Sequence, residues 1–337
     1  MKKCMTAVVC LALFIGLIQI PVYASEDIDK TIFQVSRNAG SGGVRCYDSL
    51  TNEETYYSPE LYYHGDAEPI PASPELQLEQ PEMSPRHVIG HDSRVKVLNP
   101  SGAYESTCLI GSRFKNISSG EERVGKGTGW LLNDKYVMTA GHMLYVEEDG
   151  VVMHCGIFIG ASDGKHKRYR LGYKYHVAED YVNHCENDID YYNFGMYDDW
   201  GIIELVSPVD VSISKLGRYA VNSAYDMEGQ YYHTQGYPED LNLAAGKTGD
   251  AWNLWYMYQT AGYIQKDRPG LRFLDLVETD IDAYHGQSGS PVYSYRTGYG
   301  YCAEGMIVAQ SKSYDGEPKN FIILLNDWLF DYIKQLP

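Results

Sequence analysis

Past its first two dozen residues the chain has no apolar run approaching the roughly twenty residues that a membrane-spanning helix needs. Basic residues are scarce, with 28 Lys and Arg against 45 Asp and Glu and a formal net charge of −17. Without a basic face to meet phosphates, a nucleic-acid partner is excluded. Cysteine is sparse too: seven in 337 residues, and no two of them stand at metal-ligand spacing, which excludes a zinc site of the usual kind. No internal repeat and no low-complexity tract interrupts the main part of the chain. Against 8 Phe and 5 Trp stand 31 Tyr, the aromatic suited to half-buried strand positions, although the clustering at 252–258 leaves a carbohydrate platform open.

What the N-terminal part does hold is a leader. Lys2 and Lys3 precede an apolar stretch over 5–20, and Val22-Tyr23-Ala24 offers a small-x-small cleavage pattern. Residues 1–24 are therefore expected to be a signal peptide cut after Ala24, leaving a secreted, extracellular protein with no membrane anchor. Cys4 and Cys10 lie inside the discarded piece, without a lipidation box. Residues 25–87 are acidic and rich in Pro, Ser and Glu, with no sustained apolar period. Such a stretch buries too little apolar surface to offset its ordering entropy. It reads as a disordered linker or a removable pro-segment, and the second fits a secreted hydrolase that must stay inactive during export.

Residues 88–337 have the size and texture of one all-β domain: short runs rich in Val, Ile, Tyr and Trp between clusters of Gly, Asn, Asp and Ser. Strands are expected over 128–132, 136–139, 151–159, 169–176, 202–206, 231–236, 271–277, 292–295 and 304–308. One helix is expected over 326–335, where Trp328, Leu329, Tyr332 and Ile333 recur at helical spacing. Cys108, Cys155, Cys185 and Cys302 fall in this domain. Export makes disulfides the expectation, and four cysteines allow three pairings between which the sequence does not choose.

Three short strings carry the chemistry. Thr139-Ala140-Gly141-His142 supplies an imidazole at the end of a strand, Asp199-Trp200-Gly201-Ile202-Ile203 a carboxylate at the start of another, and Gly286-Gln287-Ser288-Gly289-Ser290-Pro291 a hydroxyl on a glycine-rich turn. A serine hydroxyl is a poor nucleophile at neutral pH, so acyl transfer needs a base to take its proton and an acid to orient that base. His142, Asp199 and Ser288 are the candidate catalytic residues, with Asp198 as a solvated neighbour competing for the acid's place. The amides of Gly286 and Ser288 are the candidate oxyanion hole. The order His, Asp, Ser belongs to the chymotrypsin-like double six-stranded β-barrel, here closed by a C-terminal helix. Ser290 stands where an α/β-hydrolase elbow needs glycine, which counts against an esterase of that fold. His154, His166, His176, His184 and His233 are read as structural or surface side chains. No cofactor is required, and acidic runs at 147–149 and 188–190 are read as solvated surface rather than calcium ligands.

Those strings, together with Val88-Ile89-Gly90-His91-Asp92-Ser93-Arg94 and Gln235-Gly236-Tyr237-Pro238, resemble the secreted bacterial glutamyl endopeptidase, or V8-like, branch of the chymotrypsin-fold serine proteases. The resemblance runs from about residue 88 to the end. It implies a preproenzyme hydrolysing protein or peptide substrates, with the mature N-terminus close to Val88.

The chain departs from that pattern at several places. Ile307 stands where glutamyl relatives carry the histidine that meets a P1 carboxylate, and an alkyl group neither donates a hydrogen bond nor balances a charge. Glutamate preference is therefore not expected. Asp282, six residues before Ser288, offers the alternative of trypsin-like cleavage after Arg or Lys, and His285 stands beside the oxyanion loop as a further substrate-binding candidate. Gly127 and Met143 occupy the positions of a disulfide frequent in relatives. Gln287 replaces the aspartate that captures a new N-terminal amine in trypsin-type zymogens. The alternative from another class is a catalytically silent protease-fold binding protein.

Overall fold

The architecture is taken from a computed structural model, which describes residues 43–57, 68–73, 92–187, 195–210, 212–248, 254–264, 276–312 and 318–337. The expected signal peptide, the Val88 junction and the 188–190 run lie outside the described residues.

In the N-terminal half the strands are β1 (Val44–Asp48), β2 (Glu53–Tyr57), β3 (Val95–Val97), β4 (Thr107–Lys115), β5 (Glu122–Leu131), β6 (Tyr136–Thr139), β7 (Tyr145–Val146), β8 (Gly150–Val151), β9 (His154–Ile159), β10 (Arg168–Ala178) and β11 (Gly201–Leu205). The C-terminal half adds β12 (Gly217–Arg218), β13 (Tyr231–Gly236), β14 (Met257–Tyr263), β15 (Leu276–Thr279), β16 (Pro291–Arg296), β17 (Gly300–Lys312) and β18 (Pro318–Leu324). Among the described residues the α-helices are α1 (Glu179–Glu186), α2 (Ala224–Met227), α3 (Glu239–Ala244) and α4 (Asp327–Gln335).

Period-two alternation builds the first sheet. Along β9 the side chains of Cys155, Ile157 and Ile159 are fully buried while His154, Gly156 and Phe158 are not. Each buried branched side chain contributes roughly 1.5–3 kcal/mol. The sheet runs β11-β6-β5-β4-β9-β10, and β10 pairs back onto β11, so six strands close a barrel and leave no edge among themselves. The second sheet runs β15-β18-β17-β16-β13-β14-β3, with β12 alongside β17. The mostly-β, chymotrypsin-like expectation is met, with one closed six-stranded barrel, a second sheet and the C-terminal helix. Asn326 caps that helix, its side chain accepting the Leu329 N–H at 2.9 Å, and Trp328 stacks on Tyr332 one turn later.

Differences from the expected elements have physical causes. β4 was not expected, because Thr107-Cys108-Leu109-Ile110 is buried on both faces and so shows no alternation. Helix α1 is eight residues of mixed polarity, too short for a readable period. Residues 151–159 divide at Val152 and Met153, and of the expected 271–277 strand only its end is described, within β15.

Two corrections are larger. Of the stretch 25–87, read as a disordered linker or a removable pro-segment, β1 and β2 form a hairpin laid on β10, with Val44 fully buried, so this part is not disordered. Its apolar content is small, but strand pairing supplies the contacts that composition does not display. Among the described residues the disulfides expected of Cys108, Cys155, Cys185 and Cys302 are absent: these four and Cys46 are free thiols. Register explains much of it, since Cys108 lies opposite Ile159 and Gly129, Cys155 opposite Ser112 and Gly172, and Cys302 in the other sheet. Burial pushes every one of these thiols up, that of Cys155 to about 12 and Cys185 to about 11, so they behave as apolar packing groups.

Candidate active site

β6 and β11 are neighbours, with Thr139 opposite Gly201, and this pairing delivers the first two groups. His142 sits in the single 3₁₀ turn Gly141–Met143 that ends β6, and Asp199 stands two residues before β11. The Asp199 carboxylate is fully buried and grips the histidine twice: Oδ1 accepts the His142 backbone N–H at 2.7 Å, and Oδ2 lies 2.7 Å from Nδ1. A Cβ at Gly141 would fall 3.0 Å from Asp199 Oδ1 and 3.1 Å from the Trp200 carbonyl, so a larger residue would push on the carboxylate that holds the histidine. Burial would depress the His142 pKa, but the Asp199 charge and hydrogen bond outweigh it and the net shift is upward. A donor at Nδ1 leaves Nε2 to act as acceptor.

Ser288 rides on the loop between β15 and β16 in the second sheet. A single residue of the barrel holds that loop in place: the Thr128 N–H donates to the Ser288 carbonyl at 2.9 Å and its hydroxyl to the Gly286 carbonyl at 2.7 Å. Thr128 takes up both carbonyls, and among the described residues neither the Gly286 nor the Ser288 N–H is donated to a backbone carbonyl. Gly286 has φ +90°, and a Cβ there would lie 2.3 Å from the Tyr237 carbonyl. The Gly289 N–H is held by the Ile307 carbonyl at 2.7 Å. Sequence reasoning missed Thr128; its only signal was its place in a strand ahead of the histidine string.

His142 and Ser288 open on the same cavity of about 320 Å³. Its other walls are Tyr181 of α1, Ala283, Tyr284 and His285 of the serine loop, Ile307, Val308 and Ala309 of β17, and Asn320 of β18. His285 and Ile307, both substrate-binding candidates, are thus among the residues that line this cavity. Asp282 does not line the cavity; its Oδ2 accepts the N–H of Ser93 at 2.8 Å and the Ser93 hydroxyl at 2.7 Å. The neighbouring Gln287 is buried, and its side-chain carbonyl accepts the Tyr284 N–H at 3.1 Å and Arg94 Nη1 at 3.4 Å. Arg94 in turn forks onto Asp240, with contacts of 3.0 and 2.6 Å, and pairs with Asp92 at 2.9 Å. In the 252–258 stretch, Trp255 is fully buried, so that ring is core rather than a sugar platform. In the 147–149 run, Asp149 is buried and paired with Arg123 rather than solvated.

No family model matches the chain. It is 25% identical over 260 residues to a glutamyl endopeptidase of Bacillus licheniformis, which covers 76% of this chain and 71% of that protein. Its fold is shared with a solved Glu endopeptidase in complex with MPD, at a TM-score of 0.53 and 17% identity, across 74% of this chain and 97% of the other. The chain is thus similar in sequence to a glutamyl endopeptidase, and its fold is the chymotrypsin-like one of serine proteases.

Proposed function

We propose that this protein is a secreted serine endopeptidase that cleaves peptide bonds through an acyl-enzyme on Ser288. The observation that carries the reading is His142, fixed through Nδ1 and its own N–H by one buried carboxylate, facing the same cavity as Ser288. In the first step His142 Nε2 takes the Ser288 hydroxyl proton as Oγ bonds to the scissile carbonyl carbon. The carbonyl oxygen becomes an oxyanion, received by the Gly286 and Ser288 amides. Nε2 then gives its proton to the departing amine, and water, activated by the same imidazole, releases the acid and restores Oγ–H. Asp199 stays ionised throughout, holding the tautomer and balancing the imidazolium.

The P1 residue this site suits is uncharged. Ile307, Ala283, Val308 and Ala309 offer alkyl surface, and Asn320 donates to the Ile281 carbonyl at 2.8 Å rather than supplying a charge. The engagement of Asp282 by Ser93 speaks against the trypsin-like alternative. Processing near Val88 separates the acidic 25–87 segment from the catalytic chain in this reading, after signal removal at Ala24.

Labelling with a fluorophosphonate tests the reaction class: the wild-type enzyme becomes labelled and Ser288→Ala does not, whereas a folded, processed wild-type that never labels refutes it. A peptide-library digest tests the pocket, with dominant cleavage after Glu, Arg or Lys as the contrary result.

A further inference from the structure

The described part of the 25–87 segment is built into the catalytic body at two places and reaches the catalytic cavity at neither. β10 is paired on both sides along its second half, by β11 and by β1, with Val44 opposite Ala178 through Asp48 opposite Lys174. Removing β1 would bare the polar backbone of that edge, which strand proteins avoid. The side chains bury as well. Cys46 Sγ lies 3.2 Å from His176 Nδ1, that same nitrogen lies 2.6 Å from the Tyr332 hydroxyl, and the Tyr57 ring sits 5.1 Å from the Tyr332 ring. The strand thus fills a seam between the barrel and α4.

From there the contacts run toward the active site. The Gly43 carbonyl accepts the N–H of Glu179, the first residue of α1, at 2.9 Å, and the Tyr56 hydroxyl donates to the Glu179 carboxylate at 2.8 Å. Arg45 reaches Asn183 at 2.6 Å and Glu186 at 2.9 Å, holding the other end of the same helix. Helix α1 carries Tyr181, a wall of the cavity shared by His142 and Ser288. The second place is on the other sheet: Ile70 and Arg218 exchange N–H···O bonds of 2.9 and 2.7 Å, and the Ala72 N–H donates to the Tyr299 carbonyl at 2.8 Å. Both places hold a buried orphaned polar group, Arg218 Nε and Nη1 here and His176 Nε2 under the hairpin, and the hairpin has the longer run of strand pairing.

We propose that residues 43–57 and 68–73 are a lasting part of the active enzyme: after the chain is cut near Val88 they stay docked as a non-covalent segment that completes the β10 edge and braces α1. The cut itself belongs to the functional reading above, and the two are tested separately. The secreted, active enzyme is weighed by mass spectrometry under native and denaturing conditions, then probed by hydrogen exchange. Expected is a native mass of body plus segment, two chains on denaturation, and amides in 44–48 and 53–57 exchanging as slowly as those of β9. An active enzyme consisting of the body alone, or hairpin amides exchanging at the rate of a free peptide, overturns the proposal.

A single chain on denaturation shows instead that the cut is absent. For that case a site-specific protease sequence is inserted after Gln77 and cleaved in vitro; co-elution of the segment with the body on gel filtration supports docking, and its separation with full activity retained overturns it. Arg45→Glu, which sets like charges against Glu186, is expected to speed release of the segment at least tenfold in either form, and an unchanged release rate counts against the bracing contacts.

Discussion

Arg94 donates to the side-chain carbonyl of Gln287, the residue next to Ser288, across 3.4 Å. The guanidinium that does so is almost fully buried and is held by both oxygens of Asp240. Bidentate pairing of this kind fixes geometry as well as charge. The segment that carries Arg94 therefore braces the loop of Ser288 through an internal cation. Arg94→Ala should lower kcat by roughly 10- to 100-fold with a smaller change in KM, since small misplacements of a catalytic loop have that effect. Arg94→Lys cannot reproduce the fork and should recover only part of it. Steady-state kinetics on one peptide substrate decide this; an unchanged kcat in Arg94→Ala removes Arg94 from the positioning role.

The double grip of Asp199 on His142 predicts a loss larger than a simple hydrogen-bond deletion. Asp199→Asn keeps the shape but presents the wrong hydrogen-bonding group to Nδ1, and kcat should fall by about 10⁴-fold. Because the Asp199 charge holds the His142 pKa above its ordinary 6.5, the acid limb of the wild-type pH–rate profile lies above that value and should move down in the variant. Asp198→Asn should leave kcat within a few-fold of normal. Circular dichroism checks that both variants fold, and a reversed ranking of the two would transfer the acid's role to Asp198.

Thr128 ties the barrel to the serine loop with its backbone and its hydroxyl. Thr128→Val keeps the volume and the backbone bond but leaves the Gly286 carbonyl without its side-chain donor. That should cost about 1–3 kcal/mol of stability and reduce kcat, because the loop that carries Ser288 loses one of its two ties to Thr128 and holds the candidate oxyanion amides less firmly. Thr128→Ser should restore both. Thermal melts and kinetics measured on the same three proteins would separate a purely structural role, in which the melting temperature falls while kcat stays constant.

Candidates that sit in short local strings were legible in the sequence, and contacts that cross the fold were not. His142, Asp199 and Ser288 each sit in a short string with its own glycine or strand signature, and the order of the strings pointed to the fold. Thr128 and Arg94 act on the serine loop from about 160 and 190 residues away in sequence, and nothing near either residue reveals the partner. The hairpin at 44–57 was hidden for a related reason: its strands are short, polar and mostly exposed on β2, and their stability comes from β10. Asp282 is the reverse case: its spacing offered one alternative for a specificity group, while in the fold its carboxylate accepts from Ser93.

The free thiols yield a prediction about redox conditions. Burial raises all five described thiols above their ordinary range, so few of them ionise at neutral pH. Reducing agent should therefore leave both activity and melting temperature unchanged, and a thiol reagent should titrate these groups in denaturant but only slowly in the native protein. Cys185, the least buried, should react first. A drop in melting temperature on reduction would restore the disulfide expectation.

His176 makes the docked hairpin sensitive to acid. Its ring lies between Cys46 of β1 and Tyr332 of α4, with Lys174 and Glu204 as the nearby charges. Burial first, and then the Lys174 charge, lower its pKa from 6.5 to about 4, against an opposing pull from Glu204. His233, packed among Tyr231, Tyr293 and Tyr301, is lowered to about 4 by burial. For a group whose folded pKa is depressed, the unfolded chain binds the proton first. The stability these two neutral rings contribute is complete above pH 6.5 and is lost as pH falls from 6.5 toward 4, by at most about 3 kcal/mol apiece. Denaturant melts across that window should show the loss. His176→Gln should flatten about half of it while hydrogen exchange reports whether β1 opens first; an unaltered pH dependence in His176→Gln would mean that other groups govern the acid limit.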